Sequence, residues 1–348
     1  MTPLRVGVIG AAYSLTAHLP VYAALPEFRV TAIATAHRET AEAAAEQAGG
    51  AAAYDDYRAM VASPEVDLVD VVTRPRLHAA MAVAGLEAGK HVLCEAPLAV
   101  SAGEGSAMRD AARAAGTLAV VDMQSRFSPG LWHLRALVRE GWLGTVENVA
   151  VTAFYPSFAR PEAVGNNIWC ADAANGASSL RVHGLHSLDL IRWVFGPLDQ
   201  VTGVTAVRRP GWPAAVGAPP ATSADSAAVA GTAGGAPFSL HSSWTAWHGD
   251  GWRLTAYGSA GRLVAEAAGH TGHFPVTLYG QRADDAEPVR LEPPPDDNDV
   301  PELDRTAPQY PFARLARTLA ASAGDRYPHP DLPTFDDGLA LLGIADAL

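Results

Sequence analysis

Leu4-Arg5-Val6-Gly7-Val8-Ile9-Gly10-Ala11-Ala12-Tyr13-Ser14-Leu15 opens the chain with a β-rich run that ends at a glycine. Residues 4–9 read as a strand, and Gly10 permits the tight turn into a helix expected over Thr16–Ala24. A G-x-G-x-x-G fingerprint starting at Gly10 would place glycines at 12 and 15, where Ala12 and Leu15 stand. Ala12 adds one methyl where the backbone must approach a pyrophosphate, while the helix start still offers amides to an anion. A βα turn with one glycine serves many α/β proteins, so this stretch alone leaves nucleotide binding open.

Outward from this turn, short β-rich runs alternate with longer helical stretches through residue 122. Strands are predicted over Arg29–Ala34, Leu68–Val72, His91–Cys94 and Leu118–Asp122, and helices over Arg38–Ala48, Pro75–Ala88 and Ala102–Ala115. This alternation builds βαβ units and a doubly wound parallel sheet, a Rossmann domain over 1–122. From Pro129 the pattern changes to one helix ending near Gly141, then strands over Val146–Phe154, Ser226–Thr232, Phe238–Thr245 and Trp252–Ser259. The expected fold is therefore α/β, with an α+β domain over 123–348 built on an open, mostly antiparallel sheet. The proline-rich stretches Arg209–Pro220 and Glu287–Pro308 read as surface loops.

With 49% apolar and 18% charged residues in 348, the chain can bury two sizeable cores. A formal net charge of -12 without any cluster of basic residues argues against nucleic acid and favours a small-molecule partner. Two cysteines, Cys94 and Cys170, and no signal-peptide pattern point to a reducing, cytoplasmic setting. No apolar run reaches the ~20 residues of a membrane span. Lys90 is the only lysine, so any mechanism that needs an amine must use it.

NAD-preferring domains place an acid about 20 residues beyond the glycine turn, on the ribose 2′-hydroxyl. Here the second strand ends Ala34-Thr35-Ala36-His37-Arg38. With no carboxylate to repel a 2′-phosphate and with His37 and Arg38 close by, NADP is at least as well suited as NAD. Arg38 as a solvated residue of the next helix is the alternative.

Thr73-Arg74-Pro75-Arg76-Leu77-His78 and Gly85-Leu86-Glu87-Ala88-Gly89-Lys90-His91-Val92-Leu93-Cys94-Glu95-Ala96-Pro97 resemble the Gfo/Idh/MocA oxidoreductase family. The resemblance continues through Gln124-Ser125-Arg126-Phe127, Gly184-Leu185-His186-Ser187-Leu188-Asp189 and Thr334-Phe335-Asp336-Asp337-Gly338, and is weakest between about 205 and 330. It implies a Rossmann domain followed by a substrate and oligomerisation domain whose sheet makes homodimers or homotetramers. It further implies a cofactor surface of Gly10, Ala12, Tyr13, Ser14, Leu15, Thr35, His37, Arg38, Thr73, Arg74, Pro75, His78, Glu95, Ala96, Pro97 and Gln124. Tyr13, Trp169, Asp172, Val182 and His186 would line the substrate side.

The family motif Glu-Lys-Pro carries a lysine that acts beside the nicotinamide, and Ala96 stands at that position. Its second motif, Asp-x-Gly-x-His, sets two groups on one helical face; here it reads Val182-His183-Gly184-Leu185-His186. Two proton-transfer groups are thus replaced, each typically worth ~10²- to 10⁴-fold in rate. The combination is similar to the branch of the yeast galactose-pathway repressor and its bacterial relatives.

His186 is the candidate proton donor, because imidazole titrates near neutral pH, and His183 is a second candidate; the alternative for His186 is a satisfied half-buried histidine on a core helix, with Asp189 merely capping or pairing it. Neither His183 with His186 nor His270 with His273 has a cysteine or carboxylate set at ligand spacing, so no metal is expected. Trp244, Trp247 and Trp252 read as sheet residues, with an aromatic wall over a flat substrate as the alternative. Three functions remain open: hydride transfer between NAD(P) and an activated sugar-like or biosynthetic intermediate; dinucleotide-dependent binding or regulation without catalysis; and a non-redox lyase, epimerase or cyclase.

Overall fold

The computed structural model describes residues 2–160, 164–213, 217–325 and 328–348. It divides into two compact units: Met1–Gln124 with Asn298–Asp304 and Phe312–Leu342, and Ser125–Asp297 with Arg305–Pro311 and Gly343–Leu348.

The first unit is a six-stranded parallel sheet. Its strands are β1 (Leu4–Ile9), β2 (Phe28–Ala34), β3 (Ala52–Tyr54), β4 (Leu68–Val71), β5 (His91–Cys94) and β6 (Ala119–Val121), in spatial order β3-β2-β1-β4-β5-β6. That order reverses direction between β1 and β4, the crevice where doubly wound sheets take ligands at their carboxyl ends. β1, β4 and β5 are largely apolar, Asp70 in β4 being the buried exception, because helices cover both faces: α1 (Leu19–Ala24), α2 (Arg38–Gln47), α3 (Tyr57–Val61), α4 (Pro75–Glu87) and α5 (Ala102–Ala115). Pro75 opens α4, where its missing N–H costs nothing, and Ser101 caps α5 by accepting from the Glu104 amide at 3.3 Å.

Three expectations need correction here. The helix predicted over Thr16–Ala24 is a 3₁₀ turn over Tyr13–Leu15 followed by the six-residue α1, with Pro20 in its first turn. The amides of Thr16, Ala17 and His18 bond back to Tyr13 and Ser14, so they are spent inside the turn rather than offered to an anion. β3 and α3, only three and five residues long and so too short to stand out in the sequence, fill the gap before β4. A single cut at residue 122 is also too simple, because α8 (Tyr310–Ser322) and α9 (Phe335–Ala347) send most of their length to this unit. Phe312 stacks on His18 at 4.0 Å, and the Val121 amide donates to Pro333 O at 2.9 Å. Gly105 leaves room for Leu339 and Leu342, whose methyls lie 3.3 and 3.0 Å from where its Cβ would be.

The second unit carries α6 (Pro129–Arg139), α7 (Leu185–Phe195) and an eight-stranded mixed sheet ordered β14-β13-β12-β11-β7-β10-β9-β8. β7 (Val146–Phe154) lies centrally, antiparallel to β11 (Gly251–Gly258) and parallel to β10 (Ala236–Ser243). β8 (Leu198–Ala206), β9 (Ser226–Ala233), β12 (Gly261–Ala267), β13 (Thr277–Arg282) and β14 (Val289–Leu291) are otherwise antiparallel to their neighbours. The strand register puts Val204, Ala228, His241, Arg253 and Tyr257 on one exposed face. β14 lies inside the predicted loop Glu287–Pro308, since Leu291 and Val289 pair with Leu278 and Gly280. Within the predicted loop Arg209–Pro220, Trp212 is buried and residues 214–216 lie outside the described residues.

Candidate functional site

Gly10 leaves β1 at φ +107, and a Cβ there would meet Val72 O at 2.1 Å, so only glycine lets this turn lie against the end of β4. Ser14 is buried and donates its hydroxyl to Gly10 O at 2.6 Å, locking the turn. Ala12 and Tyr13 remain on its exposed side, whereas Leu15 is half-buried. The neighbouring turn runs from Thr73 through exposed Arg74 to buried Pro75. Beneath it, fully buried His78 sits between two carbonyls, Nδ1 3.0 Å from Pro97 O and Nε2 3.0 Å from Thr73 O, and its neutral ring donates to one of them. Burial lowers the pKa of this ring despite those acceptors. His78 thus ties the loop after β4 to the loop after β5, a positioning role.

At the end of β2, the Thr35 hydroxyl donates to His37 O at 2.7 Å, and His37 precedes the first helical turn. Arg38 is exposed, donates to Glu42 at 2.7 Å and to Ala53 O at 3.1 Å, and has its guanidinium charge reinforced by Glu42. No carboxylate ends β2. Lys90 lies at the amino end of β5, away from the carboxyl ends of the strands, where it donates to Ser63 O and Val66 O at 3.0 and 2.8 Å.

Glu95 anchors a buried cluster that the sequence did not reveal. His18, 1% exposed, holds Asp70 at 2.8 Å through Nδ1 and Glu95 at 2.9 Å through Nε2, with Asp122 Oδ2 3.5 Å from Nε2. Tyr22 donates its hydroxyl to the same Asp70 oxygen at 3.0 Å. Burial opposes charge on His18, but Asp70 and Glu95 outweigh it and hold its pKa well above the ordinary value. Burial, followed by the Glu95 charge, pushes the Asp122 carboxyl well above the carboxylate range. The neighbouring acids thus favour the charged form of the His18 ring, while burial among acids favours the protonated form of Asp122. His18, Glu95 and Asp122 are, among the described residues, the one set whose metal-ligating atoms all lie within 4.8 Å of one another. Gln124, 3% exposed, donates its backbone amide to Asp122 Oδ1 at 3.1 Å, while Ala96 and Pro97 complete the loop beside Glu95. The available signal was Asp70, a lone acid inside the apolar run Leu68–Val72.

In the second unit, a π-helical turn over Ser179–Gly184 feeds α7 and brings four histidines together that the sequence had offered as two separate pairs. The His186 and His270 rings lie 4.5 Å apart edge to face, His183 and His270 5.6 Å, and His270 and His273 5.5 Å. Tyr155 stands edge-on to His183 at 4.7 Å. Burial, then the charges of His186 and His273, takes the pKa of His183 down to about 3. Burial and the same neighbours lower that of His270 well below the ordinary value.

Other predicted residues have structural employment. Asp189 pairs bidentately with buried Arg126, at 2.6 and 2.5 Å, instead of serving His186. Asp172 is exposed and caps a 3₁₀ turn through the Ala174 amide at 2.9 Å. Trp169 and Val182 pack against an apolar cluster of Phe158, Trp212 and Trp244.

Comparison with known proteins agrees with this architecture. Residues 4–123 match the model of the oxidoreductase family with an NAD-binding Rossmann fold, and residues 131–264 match the GFO/IDH/MocA C-terminal domain. An uncharacterized oxidoreductase of Synechocystis sp. is 31% identical over 268 residues, 75% of this chain and 71% of that protein. The chain belongs to the Gfo/Idh/MocA oxidoreductase family. Another member, dTDP-3,4-didehydro-2,6-dideoxy-alpha-D-glucose 3-reductase of Streptomyces violaceoruber, is 31% identical over 330 residues, covering 92% of this chain and 87% of its own length. Levoglucosan dehydrogenase in complex with NADH and levoglucosan shares the fold at a TM-score of 0.83 and 23% identity, over 99% of this chain and 96% of that one. In this Gfo/Idh/MocA member the first unit is thus an NAD-binding Rossmann domain.

Proposed function

We propose that this protein is an NAD(P)-dependent oxidoreductase for an activated small molecule, a keto-sugar or comparable biosynthetic carbonyl, with His186 as its proton donor. One observation carries the reading: His186 lies in a group with three further imidazoles, at the position where the motif resemblance puts the family's histidine, with apolar Ala96 and Val182 where that resemblance puts lysine and aspartate. Val182 packs against aromatic side chains, so no carboxylate helps to remove a hydroxyl proton there. A substrate whose carbonyl is already electrophilic needs least of that help. Whole-length similarity to a keto-sugar reductase supports the same class.

The dinucleotide fits the first unit, because the Gly10 turn admits no Cβ and leaves Ala12 and Tyr13 exposed. When bound, it supplies or accepts the hydride. Gly10, Ala12 and Tyr13 would hold its phosphates, with Ser14 and Leu15 shaping the turn; Thr73, Arg74, Glu95, Ala96 and Pro97 would flank the nicotinamide end, with His78 and Gln124 supporting those loops. Thr35, His37 and Arg38 would take the ribose, and exposed Arg38 supports NADP as the preferred form. Val204 and Tyr257, 67% and 44% exposed on one sheet face, support assembly into a homodimer or homotetramer.

A second reading, a dinucleotide-dependent binding protein like the galactose-pathway repressor, is favoured by the same Ala96 and Val182. Cofactor absorbance followed with keto-sugar acceptors decides between them: steady turnover supports the oxidoreductase, and stoichiometric binding without turnover supports the regulator. Product formed without net cofactor change would indicate a lyase, epimerase or cyclase.

A further inference from the structure

Tyr155, His183 and His270 come from three separate segments, the end of β7, the π-helical turn and the loop after β12, yet their rings lie within 6.4 Å of one another. Each carries a buried polar atom with no partner among the described residues: Tyr155 Oη, His183 Nδ1 and His270 Nε2. Buried polar groups are nearly always satisfied, so three orphans in one place require an explanation. The His270 ring is also fixed in chemical sense. Its Nδ1 accepts from the Gly272 amide at 3.2 Å, which leaves the proton of the neutral ring on Nε2. Trp244 stands at 90° to His183, 6.2 Å away, and belongs to the apolar cluster against which Val182 packs.

We infer that Tyr155, His183 and His270 form a recognition site for an uncharged ring compound with one apolar face, in which His270 donates its Nε2–H to a ligand oxygen. The inference rests on the proposed oxidoreductase reading and names the substrate class of its second unit. His183 and His270, held neutral by burial and by their imidazole neighbours, themselves give a carboxylate or phosphate no counter-charge. Tyr155, whose phenol burial keeps protonated, supplies a second donor. His183 is neutral, so it offers one donor and one acceptor nitrogen. A few converging polar groups beside an apolar wall is the usual construction of a small-molecule site. Trp244 and its neighbours favour a ring with fewer hydroxyls than a simple hexose, a deoxy or keto ring.

The test uses the full-length protein labelled with ¹⁵N-histidine, saturated with NADH. Levoglucosan and cyclohexane-1,2-dione serve as neutral ring probes, D-gluconate as the anion and zinc as the metal. The expected result is a His270 ring in the Nε2–H form whose Nε2 resonance moves with a neutral ring and stays put with gluconate. His270→Ala should weaken neutral-ring binding by about tenfold or more, and His270→Gln, which keeps a donor near Nε2, by no more than about threefold. NADH affinity should be unchanged in both variants. A His270 ring protonated on Nδ1, no response to either neutral ring, or a response to zinc alone that a chelator reverses would overturn the assignment. Failure of the unlabelled wild type to bind NADH would instead strike the cofactor reading.

Discussion

Replacing His18 by alanine removes the cation from a cluster containing three carboxyl groups. The ring is 1% exposed, bonded at 2.8 Å to Asp70 and 2.9 Å to Glu95, and stacked at 4.0 Å on Phe312. Breaking a buried ion pair from one side costs about 3–5 kcal/mol, and losing an aromatic stack about 0.5–1.5 kcal/mol more. His18→Ala should therefore destabilise the first unit by about 4–6 kcal/mol near neutral pH, a large part of the stability of an ordinary domain. The pH dependence carries a definite sign. In the wild type the folded pKa of His18 is raised, so its contribution is complete below the ordinary imidazole value and is lost as pH rises through the folded value. Asp122, also raised, behaves the same way from the carboxylate range upward. Asp122→Asn should consequently raise the urea midpoint at about pH 8, with the gain shrinking toward about pH 5. The deficit of His18→Ala should run the opposite way, full at about pH 5 and shrinking as pH rises and the wild-type ring gives up its proton. Urea unfolding followed by circular dichroism across this range measures both. A deficit for His18→Ala below about 1 kcal/mol, or one that does not change with pH, would refute the reasoning.

Arg38→Ala should lower the ratio of NADP to NAD affinity roughly tenfold by losing a charge-assisted bond, as read by calorimetry with both cofactors; an unchanged ratio would remove Arg38 from the ribose site. His186→Ala should cut turnover by ~10²-fold or more with cofactor affinity unaltered, and a full-speed variant would reduce His186 to packing. Arg126→Ala leaves Asp189 buried and unpaired and should cost about 3–5 kcal/mol, part of which the double change with Asp189→Ala recovers, measured by urea unfolding.

The strands β1 and β5 were legible in the sequence to the residue, because short apolar runs bounded by turns have few other uses in an alternating pattern. β8 was not, since its alternation carries largely exposed small and polar residues. β12 to β14 fall where the family resemblance is weakest. The first helix was overextended because alanine and leucine around Pro20 satisfy a helical pattern that the chain, after a 3₁₀ turn over Tyr13–Leu15, takes up only from Leu19. Function was legible only where chemistry followed local spacing. His183 and His186 share one turn and were found; His270 and His273 join them through the tertiary fold. His18 likewise became significant only when the sheet order brought Asp70, Glu95 and Asp122 to it from three strands or strand ends. Asp189 lies one helical turn beyond His186 and could have paired with it, yet the bidentate geometry of Arg126 claims it.

The central claim is that the family's proton-transfer set has contracted to His186, and NAD(P)-linked oxidation of unactivated sugars, inositols and polyols tests it most directly. Wild type should show negligible oxidation across such a panel while turning over NAD(P)H with an activated carbonyl. Ala96→Lys alone should restore little, because Val182 still supplies no carboxylate where the family motif places one to orient the ammonium and tune its pKa. Ala96→Lys with Val182→Asp should gain polyol oxidation that neither single change provides. Brisk oxidation of an ordinary polyol by the wild type would contradict the account.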